Sequence, residues 1–231
     1  MLLIDLISDF AHLFYPRVCS ACNGVLLRHE EVICSDCIFH LPKTNYHLGK
    51  ENPIEKIFWG RIPIESASAY YYFKKGNKVQ NLLHKFKYKN YPEIGIYIGK
   101  LYGSELKNSL VTLPDIIIPI PLHVSKKKKR GYNQSEKFGI GLSEAMGIPQ
   151  NTDNFIRKVF TETQTRKNRF SRWENVKEIF HCQDSKIFEN KHILLIDDVI
   201  TTGSTLEASA RKLLEIEGVK ISIACMACAT I

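Results

Sequence analysis

The chain has 231 residues, of which 44% are hydrophobic and 24% are charged, and its formal net charge is +8. This length and balance predict one folded domain with a small appendage and exclude a disordered chain. The excess of lysine and arginine favours an anionic partner, and both phosphates and nucleic acid fit that description.

The first predicted element is a short amphipathic helix over residues 1–16. Its apolar residues recur at helical spacing, and polar residues such as Asp5 and Asp9 fill the other side. Because no basic stretch precedes the apolar residues and the run is interrupted, we expect neither a signal peptide nor a membrane span here. We interpret the protein as cytoplasmic and expect the helix to dock on its own core.

Two pairs of cysteines follow in the pattern C-x2-C-x11-C-x2-C. Two residues between cysteines let both thiolates of a pair reach one ion, and two such pairs complete a tetrahedral zinc site without an open position. A thioredoxin-like redox pair is the alternative, but neither pair has the strand-to-helix context of that motif. The predicted ligands of a structural zinc ion are Cys19, Cys22, Cys34 and Cys37.

The segment after the cysteines predicts a linker and then a larger domain. Residues 43–63 are polar and contain two prolines, which indicates a loop. A strand at 65–73 and helices at 79–88 and 94–106 come next. We therefore predict two units, residues 1–60 with the helix, zinc module and linker, and residues 61–231.

Strands and helices alternate through the remaining chain, which predicts an α/β fold with a parallel twisted sheet flanked by helices. Cysteines 225 and 228 fall in the last strand, where residues three apart face opposite sides, and we interpret them as core thiols. The predicted strands are 115–122, 154–159, 191–197 and 219–229, and the predicted helices are 133–146 and 204–217.

The stretch ILLIDDVITTGSTL, residues 193–206, predicts a phosphate-binding loop between a strand and a helix. Small and hydroxylated residues there expose consecutive backbone N–H groups at a helix N-terminus, which is a ready site for an anion. The alternative is an acidic strand end followed by an ordinary helix cap. It would explain single residues but not the complete order of apolar, acidic and small hydroxylated residues. The predicted phosphate-binding residues are Thr201, Thr202, Gly203, Ser204 and Thr205.

Two acidic residues, Asp197 and Asp198, stand directly before this loop. Carboxylates repel phosphate but accept hydrogen bonds from vicinal hydroxyls, so the order of residues suits a ribose 5-phosphate. The stretch PIPL at 119–122 also follows a strand, and in parallel sheets ligands bind beyond the carboxyl ends of strands. We therefore expect both stretches to meet at one crevice.

This loop resembles the phosphoribosyl pyrophosphate loop of the type I phosphoribosyltransferases, in which four hydrophobic residues and two acids precede a Thr/Gly/Ser-rich turn. Walker and dinucleotide-binding glycine motifs are not in the sequence. The resemblance implies phosphoribosyl pyrophosphate with Mg²⁺ as the ligand, and Asp197 and Asp198 as catalytic residues of a phosphoribosyl transfer to an unknown acceptor.

Further motifs make the chain similar to the ComF family, whose members are tied to natural competence and DNA uptake. These motifs are CSAC, CSDC, LLHKFKYKN, PIPLHVSKKKKRGYNQS and the segment from Arg157 to Phe180. The resemblance implies a helicase-like ATPase of the uptake machinery as a partner, which could bring the protein to the inner face of the membrane. The segment from Arg157 to Asn175 also resembles the flexible hood of amidophosphoribosyltransferases, which implies Gln164 and Arg172 as hood residues. Our candidates for binding the pyrophosphate are the backbone near Pro119 and Pro121, and Arg130.

A second hypothesis is a non-catalytic component that binds single-stranded DNA and keeps the phosphoribosyl site for regulation or as a remnant. A basic run can follow the phosphates of a single strand while aromatic rings stack on its bases. The alternative without a function is that such a run is a solvated loop. The candidate nucleic-acid residues are Lys126, Lys127, Lys128, Lys129, Arg130 and Tyr132, and Phe170 and Trp173 are further candidates for stacking.

Overall fold

The computed structural model describes residues 16–157 and 179–229. The N-terminal helix predicted for residues 1–16 lies almost entirely outside these ranges. Gln164 and Arg172 of the predicted hood, and the aromatic residues Phe170 and Trp173, also lie outside the described residues.

Four parallel strands form the central sheet, as the alternating pattern predicts. The described residues contain six strands in all, which are β1 (Ser66–Phe73), β2 (Ile116–Pro119), β3 (Phe155–Arg157), β4 (Phe180–Cys182), β5 (His192–Ile200) and β6 (Lys220–Ala229). The sheet has the order β1-β6-β5-β2, while β3 and β4 pair separately as an antiparallel hairpin. Apolar residues dominate β5 and β6, because helices cover both faces of a parallel sheet.

Seven α-helices surround the sheet within the described ranges. They are α1 (Ser35–His40), α2 (Pro53–Phe58), α3 (Lys78–Tyr88), α4 (Glu93–Ser109), α5 (Val124–Arg130), α6 (Gln134–Met146) and α7 (Ser204–Leu213). Short 3-10 helices add Tyr46–Leu48 and Lys186–Phe188. Buried side chains form two clusters, one containing Phe86, Phe138 and Leu194 and the other containing Phe58, Leu195 and Leu206.

Helices α4 and α6 approach each other very closely. A Cβ atom at Gly141 would lie 2.0 Å from the carbonyl oxygen of Ile96, and one at Gly99 would lie 2.3 Å from that of Phe138. Glycine at both positions therefore permits the contact that fixes α6 against the rest of the domain.

One predicted loop is partly helical. Residues 43–63 contain α2, and the prediction of a continuous loop there is wrong. Asn52 caps this helix because its side chain accepts the N–H groups of Ile54 and Glu55, and the Glu55 carboxylate accepts the N–H of Asn52. Pro53 occupies the first helical position, which proline suits. This capping box is the signal in the sequence that points to a helix here.

Other details go beyond the prediction or differ from it. The basic run, to which the sequence analysis assigned no helix or strand, forms α5, and the helix ends where Gly131 takes a φ of 82°. Strand β5 continues to Ile200, three residues past the predicted end at Asp197, so Asp198 also lies within the strand. Helix α7 ends at Leu213, four residues before the predicted end.

Residues before position 60 lie against the sheet. The Thr44 N–H donates to the Tyr70 carbonyl at 2.9 Å, and the Tyr72 N–H donates to the Pro42 carbonyl at 2.8 Å. The division into units 1–60 and 61–231 remains a prediction. Within the ranges that the structure covers, no helix is long and apolar enough to cross a membrane.

Candidate functional site

The carboxyl ends of β2 and β5 lie side by side. Beyond the end of β2, the Ile120 N–H donates to the Ile196 carbonyl at 2.9 Å. Asn133, the N-cap of α6, donates from Nδ2 to the Ile120 carbonyl at 3.0 Å. The PIPL stretch, the start of α6 and the acidic end of β5 therefore meet at one edge of the sheet.

Asp197 is enclosed by this arrangement. Its Oδ1 atom accepts the hydroxyl of Ser135 at 2.9 Å and the N–H of Asp198 at 2.8 Å. Burial and, second to it, the charge of Asp198 together raise the pKa of Asp197 to about 7. Ser135 belongs to the RGYNQS motif, and sequence reasoning gave it no role beyond a helix cap.

Asp198 forms an ion pair with Lys87 of α3. The Lys87 Nζ atom lies 3.1 Å from the Asp198 Oδ1 atom, and the two side chains are 20% and 13% exposed. The sequence analysis noted the LLHKFKYKN motif but assigned nothing to Lys87. No local pattern separates this lysine from its basic neighbours, because its partner is far away in the chain.

The loop at 201–205 carries the four hydroxyl side chains to the surface. Thr201, Thr202, Ser204 and Thr205 are exposed, whereas Gly203 is buried. Gly203 takes a φ of 73° at the N-cap of α7, and a Cβ atom there would lie 2.8 Å from Ile57 of α2. Both the positive φ and the close approach of α2 require a glycine here, and α2 packs against the loop.

The basic helix α5 carries four consecutive lysines, whose side chains spread around the helix because neighbouring helical residues lie about 100° apart. Lys126, Lys127, Lys128 and Lys129 are all exposed. Arg130 is half-buried, and its guanidinium donates to Gln134 Oε1 at 2.9 Å and lies over the ring of Tyr88 at 5.6 Å.

Tyr132 does not suit the stacking role predicted for it. Its side chain is buried against Phe86, and its hydroxyl donates to the Phe86 carbonyl. A ring packed in the core cannot stack on a nucleic-acid base, so this part of the DNA-binding interpretation is corrected.

The two prolines lie where β2 leaves the sheet. Pro119 is the last residue of β2 and pairs with Ile196, and Pro121 is half-buried in the connection to α5. Of the segment likened to a hood, Arg157 is described: it lies in β3 with its guanidinium 5.7 Å from the Phe180 ring.

The four cysteines near the N-terminus form one cluster. Their sulfur atoms all lie within 4.8 Å of one another, and the Sγ atoms of Cys22 and Cys34 are 3.8 Å apart. Zinc–sulfur bonds of about 2.3 Å in a tetrahedron place two sulfurs about 3.8 Å apart, so the cluster can hold such an ion. The Cys19 sulfur accepts N–H groups from Ala21 and Cys34 at 3.4 and 3.3 Å, as a thiolate ligand would.

The last strand places its two cysteines in the core. Cys225 and Cys228 are both buried, and burial raises the pKa of each thiol. This confirms the interpretation of both as core thiols.

A known protein family matches more than half of the chain. Residues 99–231 match the phosphoribosyl transferase domain family. Among solved structures, the glutamine phosphoribosylpyrophosphate amidotransferase from B. subtilis has a TM-score of 0.43 and 20% identity, covering 61% of this chain and 30% of that one.

Relatives cover almost the whole chain. Competence protein F of Haemophilus influenzae is 30% identical over 211 residues, which are 87% of this chain and 92% of that protein. DNA utilization protein YhgH of Escherichia coli K12 is 27% identical over 214 residues, 90% of this chain and 89% of that protein. With the domain match and the cysteine cluster, these relatives place the chain in the ComF family of the type I phosphoribosyltransferase superfamily.

Proposed function

We propose that the protein binds phosphoribosyl pyrophosphate with Mg²⁺ at the carboxyl edge of its sheet, and that it acts in DNA uptake. The observation that carries this proposal is the loop with Gly203 at its centre, directly after two acidic residues on one strand. Backbone N–H groups and hydroxyls suit the 5-phosphate, and the carboxylates suit the ribose hydroxyls.

Each predicted residue then has a role. Thr201 through Thr205 hold the 5-phosphate, and Asp197 and Asp198 accept the ribose hydroxyls. The backbone around Pro119 and Pro121, together with Arg130, faces the pyrophosphate, over which Gln164 and Arg172 of the hood close. Mg²⁺ bound with the ligand would help to neutralise the charge of the pyrophosphate and would keep several of its waters.

This arrangement also supports catalysis of phosphoribosyl transfer. In such a reaction charge builds up at the anomeric carbon and on the departing pyrophosphate, so the main task is electrostatic stabilisation of the leaving group. Closing a hood excludes water from the reacting atoms. The acceptor is the one component for which we assign no residues.

We further propose that the four-cysteine cluster binds zinc and stabilises the N-terminal segment. Four sulfur ligands leave no position for a substrate, so the ion is structural. Residues 16–42 are too few to fold on an apolar core alone, and a metal site supplies the missing stability.

Calorimetric titration of phosphoribosyl pyrophosphate with Mg²⁺ into the protein tests the ligand. We expect the wild type to bind and a D197N/D198N variant to lose at least tenfold in affinity, because neutral amides are weaker acceptors for ribose hydroxyls. The control is a D184N variant, which changes an exposed aspartate outside the acidic pair. Absence of binding by the folded wild type would refute the proposal.

A second proposed activity is binding of single-stranded DNA through α5. Four consecutive exposed lysines favour it, as do the names of the relatives, which refer to competence and DNA utilization. Because lysine contacts to phosphate release counterions, such binding weakens steeply with salt.

A salt series with a labelled single strand tests this activity. Replacing Lys126 to Lys129 with glutamine should reduce the slope of log K against log salt by up to about 3, from about 0.7 for each phosphate contact. The matched control replaces four other exposed lysines, Lys75, Lys107, Lys186 and Lys191. An equal loss in both variants would show a general charge effect and no site on α5.

The same proposal places the protein in the cytoplasm, at the inner face of the membrane through its partners. A helicase-like ATPase of the uptake machinery is the proposed partner, and the cysteine module offers a surface for it. Val25, Leu27 and Phe39 are exposed there, with fractions of 66%, 60% and 84%. Co-purification of the ATPase with the wild type, and its loss when these three residues are changed to serine, would support the contact.

A further inference from the structure

Helix α3 connects the acidic pair to a part of the molecule outside the loop. Lys87 lies one residue before the end of this helix, and its ammonium group reaches Asp198 at 3.1 Å. Both side chains are mostly shielded from water, where a charge pair is screened less than at the surface. The contact is therefore stronger than an ordinary surface ion pair.

The backbone that carries Lys87 is anchored on both sides. The carbonyl of the preceding residue, Phe86, accepts the hydroxyl of Tyr132, and the Phe86 ring is fully buried. On the flank toward the cysteine cluster, Asn81 donates to the Ala21 carbonyl at 3.0 Å and Lys85 donates to Asn23 Oδ1 at 2.7 Å. Lys87 is thus held in front of Asp198 by a fixed helix.

Few charged or titratable groups face the two carboxylates. From α6 the neighbour is the hydroxyl of Ser135, and from β6 it is the thiol of Cys225, which burial keeps neutral. Lys87 supplies the one ion pair that either carboxylate makes within residues 16–157 and 179–229. Two adjacent negative charges would otherwise repel each other in a partly buried position.

We propose that Lys87 is a positioning residue of the phosphoribosyl pyrophosphate site, which offsets one of the two adjacent negative charges and orients the Asp198 carboxylate, so that the pair accepts the ribose hydroxyls together. This inference rests on the function proposed above. It adds a residue from outside the loop and outside the hood to the machinery of the site.

The role has a consequence that simple stabilisation of the fold does not have. The charge of Lys87 lowers the pKa of Asp197, which burial and Asp198 raise. Removal of that charge must move ionisation of Asp197 to higher pH, and with it the pH at which the ribose is bound. A merely structural lysine would change stability and leave this pH profile in place.

Calorimetry of Mg²⁺ and phosphoribosyl pyrophosphate binding between pH 6 and 9 tests the inference on wild type, K87M and K87R. We expect the midpoint of the affinity profile of K87M to rise by about one pH unit, which lowers the affinity about tenfold at pH values well below the wild-type midpoint and by less above it. K87R keeps the positive charge and should keep the midpoint. The phosphates of the ligand titrate alike with every variant, so only differences between variants count.

K89M is the matched control, because Lys89 is exposed two residues further on and the same charge is lost. It should behave as the wild type does. If K87M does not fold, K87Q takes its place in the same comparison. A K87M midpoint equal to that of the wild type, while the wild type binds, would overturn the role of Lys87 alone. Absence of binding by the wild type at every pH would overturn the proposed function and this inference with it.

Discussion

At the scale of single residues, the two neighbouring aspartates have different environments. Asp197 accepts the Ser135 hydroxyl and a backbone N–H, whereas Asp198 faces the ammonium group of Lys87. Burial without an ion partner raises the pKa of Asp197 to about 7. Ionisation of Asp197 therefore costs free energy in the free protein, and a ligand whose hydroxyl groups donate to the carboxylate can offset that cost.

The raised pKa predicts how stability depends on pH. Between the ordinary value of 3.8 and about 7, Asp197 keeps its proton in the folded state and loses it in the unfolded state. Stability should therefore fall as pH rises through this window, by at most about 4 kcal/mol from this group. In D197N the fall should be smaller, and D197N should be more stable than wild type at pH 8. Urea unfolding at several pH values measures this.

An exposed carboxylate provides the control. Glu144 forms an ion pair with Lys100 at the surface, with exposed fractions of 51% and 53%, so E144Q should keep the wild-type dependence on pH. A D197N variant whose stability changes with pH exactly as wild type does would contradict the prediction.

Residues of the site were predictable only where the signal is local. The two aspartates and Gly203 belong to one contiguous motif, and the structure places them on β5 and at the start of α7. Ser135 lies 62 positions from Asp197 along the chain, and Lys87 lies on a separate helix. Their contacts depend on how helices pack on the sheet, and no periodicity or spacing encodes that packing.

At the scale of elements, hydrophobic periodicity predicted the sheet correctly because buried strands are long apolar runs. The errors occur where a short polar segment has a capping signal or where a strand continues past a polar residue. Helix α2 has a capping box, and β5 continues through both aspartates because β6 pairs with it as far as Cys228. A paired neighbour can hold polar residues in a strand, and the single chain does not reveal that neighbour.

The cap of α2 supports both this helix and the phosphate loop. Asn52 accepts two N–H groups, and its own amide donates to the Ala67 carbonyl at 2.9 Å. We expect N52A to lower the free energy of unfolding by about 2 kcal/mol, from the lost cap and the unpaired carbonyl. Because Ile57 and Phe58 of α2 contact Gly203, the affinity for phosphate ligands should fall as well.

Chemical denaturation and phosphate-ligand titration measure the two effects. The control is N108A, which changes an exposed asparagine near the end of α4, where alanine favours the helix slightly. If N52A and N108A had equal stability, α2 would not depend on its cap.

At the scale of the whole molecule, the cysteine segment shares its core with the phosphoribosyltransferase-like domain. Cys19, Ile33 and Cys37 are fully buried in the same cluster as Phe86 and Tyr102. Asn81 and Lys85 of α3 donate to this segment, and Lys87 of the same helix contacts Asp198. Loss of the metal site at the cysteines should therefore lower the stability of the sheet as well.

Loss of one sulfur ligand tests this connection. C37S should reduce bound zinc from about one equivalent to almost none, since three ligands hold the ion far more weakly. Because the cluster belongs to the common core, we expect one cooperative unfolding transition shifted down by roughly 10 °C, for a loss of about 3 kcal/mol. C182S, which changes a half-buried cysteine of β4 outside the cluster, should keep both zinc and melting temperature. The contrary result is a C37S protein that loses zinc but melts at the wild-type temperature, with proteolysis confined to residues 16–42. In that case the module would fold independently of the sheet, and α3 would not transmit its state to Asp198.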